Sequence, residues 1–520
     1  VKLIDSIFNS ISRLQEKPIL FFAFSFIVFF GLAILFRLPH FLSNAFWFDG
    51  DEGIIGIMAQ DLIAGKHFPI YFYGQKYGLS TFEVFSVAFW IKLIGTGVWA
   101  LRLGGLTLFA LGTTFLFKGL LNRGQPLKLS FLIVVAVLCF PSWTLWAGMV
   151  RGGYVTAFCA ISILFYLSSR FKFSILNYLI IGFLLAVAFE SHVFLLIPIL
   201  PLLLFNWRSQ GGSILNLLII GIISVLFIFG IKSLDFQDVL VWNSPSLDVD
   251  FSAFYDRGLI YGKGILHSFG NFTYFTADME IPLWWKIGLS ICLLLIGFLA
   301  VRLFLKISNE KKIYYLLSVF GLLLIFFVAL SMRIYIPRYL ISIYTGVLFL
   351  LLFMSKDLLA DQLNRSLSVV MLVLFMIGIG AGPRQKRDFF PSDVNKLEAF
   401  NALHEEVKKG DFKAVFVCDH FIQWQWNYLY GAEIPANAFN LVERTQQFNL
   451  KVDSIYLANP KETAIISYWG IFYNLEKVEG FDKTRRQVGN DYCIQPIVTK
   501  AFHDKGYETM GAEYVYPERN

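Results

Sequence analysis

Charge is what this chain of 520 residues has least of. Asp, Glu, Lys and Arg make up 16% of it, where soluble domains carry about a quarter. Hydrophobic residues make up 57%, and the mean hydropathy is +0.62. So few charges cannot cover the surface of a water-soluble protein of this length, which excludes that class and points to a bilayer. Histidine is scarce too, and His40, His67, His192 and His267 show no metal-ligand spacing, so no catalytic metal is expected. The five cysteines say little. Cys139, Cys159 and Cys292 fall in apolar runs and read as packing residues, whereas Cys418 and Cys493 lie in a polar tail where an oxidising compartment would let them pair. There are no internal repeats and no low-complexity segment. The net charge of +7 comes largely from Lys and Arg in short loops, so it indicates membrane orientation and no nucleic acid.

What is present is a series of apolar runs, each near the roughly 20 residues a membrane helix needs. They fall at 19–36, 99–117, 129–147, 154–169, 175–190, 193–206, 214–232, 283–301, 313–332, 339–354 and 366–382. The first lacks a small-residue cleavage site and reads as a retained span rather than a signal peptide. Residues 80–95 are apolar but short, and they contain Glu83 and Lys92. If this segment lies along the membrane surface, Lys118, Arg123, Lys128, Arg170, Arg208, Arg302, Lys311, Lys356 and Arg365 all fall on the inner face. If it crosses, they fall outside, against the positive-inside bias. The first choice puts the N-terminus in the cytoplasm. It puts residues 37–98, the 233–282 loop and the tail beyond 383 on the outer face.

The tail, 384–520, has ordinary globular composition. Lys396–Lys409 reads as an amphipathic helix, with Ala414–Cys418 and Thr463–Tyr468 as strands. The expected fold is a polytopic α-helical membrane protein of about eleven spans with outer juxtamembrane helices, residues 1–383. A small extracytoplasmic α/β domain, 384–520, follows it.

The segment Phe46-Trp47-Phe48-Asp49-Gly50-Asp51-Glu52-Gly53 sets three carboxylates beside aromatic residues just after the first span. A helix is expected from about Ile54 to Ala64, ended by Gly65. Acids at a helix start are often mere caps. At a bilayer rim, however, ionisable groups are functional by default, and an ionised carboxylate is what a general base requires.

Asp51-Glu52, a short helix, Gly65, Phe68-Pro69 and aromatics up to Tyr77 together resemble the first outer loop of GT-C glycosyltransferases. The protein O-mannosyltransferases and the aminoarabinose transferases of lipid A are the families most similar. Ala100-Leu101-Arg102-Leu103 and Pro337-Arg338-Tyr339-Leu340 are similar to segments of the same families. The resemblance implies an enzyme of the inner (plasma) membrane that takes a sugar from a polyprenyl-phosphate donor and inverts its anomeric carbon. It implies that Asp51 acts as base, with Glu52 orienting the site or binding acceptor and Asp49 a second candidate for either task. The lipid phosphate leaving group calls for outer-face cations, with Arg338 first and Arg333, Arg151 and Lys76 after it. Trp47, Tyr71, Tyr73, Glu190 and His192 are candidates to contact sugar or acceptor. The aminoarabinose enzymes carry a further Asp where this chain reads Arg151-Gly152-Gly153-Tyr154; either Glu190, Asp235 or Asp238 replaces it, or no second acid is needed. The acceptor, whether protein, glycan or lipid, is not specified, and the tail is expected to select or hold it. The alternative is a transporter or flippase of a lipid-linked sugar. That class favours inverted repeats and broken helices with polar groups at mid-membrane.

Overall fold

The computed structural model describes residues 13–42, 48–66, 68, 70–72, 78–170, 174–234, 254–258, 283–331, 340–359, 362–381, 396–417, 420–438, 446–468, 485–490, 492–496, 498–500 and 503–504. It is a multi-pass helical membrane protein with a small sheet near its C-terminus. The helices, in order, are α1 (Pro18–Phe41), α2 (Gly50–Ile63), α3 (Thr81–Ile94), α4 (Val98–Asn122), α5 (Leu127–Leu138), α6 (Pro141–Trp146), α7 (Tyr154–Leu167), α8 (Ile175–Leu196), α9 (Leu200–Ser209), α10 (Ile214–Ser233), α11 (Leu283–Lys306), α12 (Asn309–Ser331), α13 (Leu340–Phe353), α14 (Ser355–Leu358) and α15 (Gln362–Ala381).

Five of these, α1, α4, α8, α10 and α12, are long and apolar enough to cross a bilayer, and α5, α7, α13 and α15 are shorter apolar helices. Ile214, Leu218, Ile222, Leu226 and Phe229 stand exposed along α10, as Leu316, Phe320, Leu323 and Phe327 do along α12. Such continuous apolar faces suit hydrocarbon, not water. At about 1.5 Å per residue, α4 separates its two ends by roughly 37 Å, slightly more than a hydrocarbon core. Its C-terminal end is basic: Arg123 donates to Asn206 at 2.9 Å and to Ser168 at 2.8 Å, joining the ends of α4, α7 and α9.

The expected span at 129–147 proves to be two helices. Pro141 cannot continue α5, because it has no N–H to donate to the preceding turn. The carbonyls exposed by the break are answered from α1, where buried Arg37 donates to Leu138 at 3.2 Å and to Trp143 at 2.8 Å. A second boundary also moves. The expected turn between the runs 175–190 and 193–206 is a kink inside α8, where His192 alone has non-helical angles (φ −163°, ψ 89°). The chain breaks instead at 197–199, beside Pro198 and Pro201.

The tail region contains α16 (Lys396–Lys409), α17 (His420–Tyr430) and α18 (Gln446–Ala458). Its strands are β1 (Ala414–Val417), β2 (Ala436–Ala438), β3 (Thr463–Tyr468), β4 (Arg486–Val488) and β5 (Tyr492–Gln495). The strand order is β2-β1-β3-β5-β4. β1 runs parallel to both β2 and β3, while β5 is antiparallel to β3 and β4. β1, β2, β3 and β5 are buried at every residue, as expected for strands covered on both faces. Val415, Val417, Ala436, Ile466 and Ile494 form one core face with Phe400 and Leu403 of α16. Cys493 is a free buried thiol, its Sγ 3.1 Å from Ser467 Oγ, and its suggested partner Cys418 lies outside the described residues.

Candidate active site

The local sequence Asp49-Gly50-Asp51-Glu52 is a capping box. Asp49 has extended backbone (φ −103°, ψ 179°), and its Oδ1 accepts the Glu52 N–H at 3.0 Å. Glu52 Oε2 returns the bond by accepting the Asp49 N–H at 3.3 Å. The helix therefore begins four residues before the expected Ile54, and Asp49 is its cap. Asp51, one residue ahead of Glu52, takes no part in that box. Its side chain is 21% exposed at the positive end of the helix dipole.

Two arginines from elsewhere in the chain meet these acids. Arg102, in the first turns of α4, pairs with Glu52, and both side chains are buried. The same guanidinium donates to the Gly148 carbonyl at 3.2 Å. Arg151, between α6 and α7, spans the other two acids: Nη2 lies 2.6 Å from Asp51 and Nη1 2.9 Å from Asp49. Its side chain is buried, with the guanidinium 5.4 Å from the Trp146 ring centre. Burial pushes the Glu52 carboxyl up to about 7 against the opposing pull of Arg102. Burial raises Asp49 as well, opposed by Arg151.

A tight turn holds Arg151 in place. Gly153 has φ +94°, and a Cβ there would lie 2.9 Å from Ser191 and 3.0 Å from the Leu79 carbonyl, so only glycine fits. Glu83 of α3 then takes the place of a cap for α7: the Gly153, Val155 and Thr156 N–H groups favour its charged form, and the Thr156 hydroxyl donates to it at 3.5 Å. Replacing Glu83 by Ala should lower stability by ~1 kcal/mol, a normal cap loss, and Glu83→Gln by less. Thermal unfolding of the two variants in detergent checks the order.

Tyr71, Glu190 and His192 gather beside this turn. Tyr71 donates its hydroxyl to Glu190 at 2.8 Å, and Lys232 stands 3.6 Å from the same carboxylate. The Gly78 and Leu79 N–H groups donate to the Glu190 carbonyl, and the His192 ring lies 4.1 Å from that of Tyr154. Trp47, Tyr73, Lys76, Asp235, Asp238, Arg333 and Arg338 lie outside the described residues. Among the described residues, no group of three His, Cys, Asp or Glu is placed to hold a metal.

Two parts of the site escaped the sequence reading. Arg102 was visible in its motif, yet nothing in the sequence joins it to Glu52. The packing of α17 against Gly53 and Gly56 was hidden as well, although two glycines one turn apart in an apolar helix are the mark of a close approach.

No family model and no curated protein matches the sequence. Among solved structures, the chain is similar to ArnT from Cupriavidus metallidurans in its apo state, with a TM-score of 0.54 at 12% identity. The match covers 91% of this chain and 98% of that one. The expected fold, a polytopic helical membrane part followed by a small α/β region, is therefore shared with that structure.

Proposed function

We propose that this chain is a membrane glycosyltransferase that moves a sugar from a polyprenyl-phosphate donor to an acceptor hydroxyl, inverting the anomeric carbon. The observation that carries the reading is the division of labour among the acids. Asp49 and Asp51 are both partly exposed and both held by Arg151, but Asp49 and Glu52 are taken up by the cap, and Glu52 also by Arg102, so that of the three acids Asp51 stands outside the box. That arrangement suits a base. The acceptor O–H gives its proton to Asp51 as its oxygen attacks C1 of the sugar. The bond from C1 to the phosphate oxygen breaks, and polyprenyl phosphate leaves with the electron pair.

Charge on that phosphate grows in the transition state, so cations near it lower the barrier. Arg338 is the first choice, with Arg333 and Lys76 behind it, while Arg151 would bridge the acids and the phosphate side. Glu190 and His192, with Tyr71, Tyr73 and Trp47, would contact sugar or acceptor. The site would face outward at the inner (plasma) membrane, with the tail domain on the same side. The clustering of Arg123, Asn206 and Ser168 at the far end of the bundle supports this polarity, since cationic ends favour the cytoplasm.

The raised Glu52 carboxyl gives a pH prediction. Below about 7 it is protonated, the ion pair with Arg102 is lost, and the site loses a fixed charge. Activity should therefore fall as pH drops through about 7. In Glu52→Gln that acid limb should move to lower pH. A pH profile of kcat/KM for the two proteins decides this, and an unmoved limb would assign it to another group.

The reading itself is tested by offering purified protein a panel of polyprenyl-phosphate sugars and measuring release of polyprenyl phosphate. Translocation of the intact donor without release would favour a flippase.

A further inference from the structure

Helix α17 of the tail packs directly on α2, the helix that carries the acids. A Cβ on Gly53 would lie 2.8 Å from the backbone C and O of Trp424, and one on Gly56 would lie 2.3 Å from the Tyr428 ring. The two helices therefore meet with no side chain between them on the α2 side. Polar bonds fix the contact at both ends. Gln425 donates through Nε2 to the Phe48 carbonyl, immediately before the Asp49 cap. At the other end, Gln60 Nε2 donates to the Tyr428 carbonyl at 3.0 Å. The buried Tyr428 hydroxyl donates to the Gly97 carbonyl at 2.9 Å and accepts from the Gly97 N–H at 3.2 Å. Gly97 opens α4, the helix that supplies Arg102 to Glu52.

A helix of 14 residues is marginal alone, so its tilt and rotation come from what it packs against. Here one side is held by Arg102 and Arg151, and the other by α17. We propose that α17 is a positioning element of the transferase site, with Gln425 holding the start of α2 and the close packing of α17 on Gly53 and Gly56 setting its tilt, so that the Asp51 carboxylate stands where the acceptor hydroxyl arrives. The tail then serves turnover itself in addition to any choice of acceptor. This inference deepens the transferase reading and rests on it.

The test uses full-length Gly56→Ala, Gln425→Ala and the double variant Gly56→Ala/Tyr428→Ala. A new methyl at position 56 pushes α17 away, and removing the Tyr428 ring makes room for it again. Misplacing a catalytic group by about 1 Å costs on the order of 100-fold, so Gly56→Ala should lose about that much kcat with donor KM nearly unchanged. Gln425→Ala should lose less, and the double variant should recover part of the loss, short of wild type because the Tyr428 bonds to Gly97 are gone. Hydrogen–deuterium exchange at residues 49–58 should rise in Gly56→Ala and return toward wild type in the double variant.

Unchanged turnover and exchange in Gly56→Ala would overturn the proposal. So would a fall in kcat that tracks loss of folded protein and is not rescued. If wild type cleaves no lipid-linked sugar, the transferase reading fails, whereas active wild type with unaffected variants removes only the role of α17.

Discussion

Replacing Asp51 by Asn should reduce polyprenyl phosphate release by about 100- to 10,000-fold, the usual contribution of a positioned general base. Donor binding should change little, because the Asn side chain keeps the size and position of the carboxylate. The loss should therefore appear in kcat. Asp49→Asn should be milder in turnover, since an Asn cap still accepts the Glu52 N–H. The contrast between these neighbours matters, because both touch Arg151. Equal losses from the two would mean that Arg151 needs the pair of charges and that neither acid is the base.

Arg102→Met should be the most destabilising single change in this part of the molecule. It leaves Glu52 buried with no cation, a situation that costs about 3–5 kcal/mol when one member of a buried pair is removed. The carboxyl already titrates near 7 with the arginine present, so without it Glu52 should take up a proton at neutral pH. The second change, Glu52→Gln in the Arg102→Met background, should recover much of the stability, since Gln is neutral without having to take up a proton on folding. Thermal unfolding of the two single variants and the double variant gives the coupling. A double variant as unstable as the sum of the singles would show that Arg102 acts through Gly148 and not through Glu52.

Local features of this site were legible in the sequence and distant pairings were not. The spacing of Asp49 and Glu52 encodes the cap within four residues, and the apolar runs located the helices to within a few residues, except where a break or a kink intervened. Pro141 gave one break a visible cause, but the compensating Arg37 lies 101 residues from one carbonyl it serves and 106 from the other. Glu83 looked out of place in an apolar segment, and what it meets is the start of α7, with the Thr156 hydroxyl 73 residues on. Gln425 meets Phe48 across 377 residues, a pairing fixed by how the tail packs and not by any local pattern. The expected orientation rests on the summed charge of the basic loops, which survives errors in any one boundary.

The most direct measurement is the stereochemical course of the reaction in reconstituted wild-type protein. A polyprenyl-phosphate sugar of known anomeric configuration is supplied with an acceptor panel, and the product is examined by NMR alongside release of the lipid phosphate. The account predicts release matched one-to-one by a glycoside of inverted configuration, lost in Asp51→Asn. Retained configuration, or movement of intact donor across the bilayer with no bond cleaved, would contradict it.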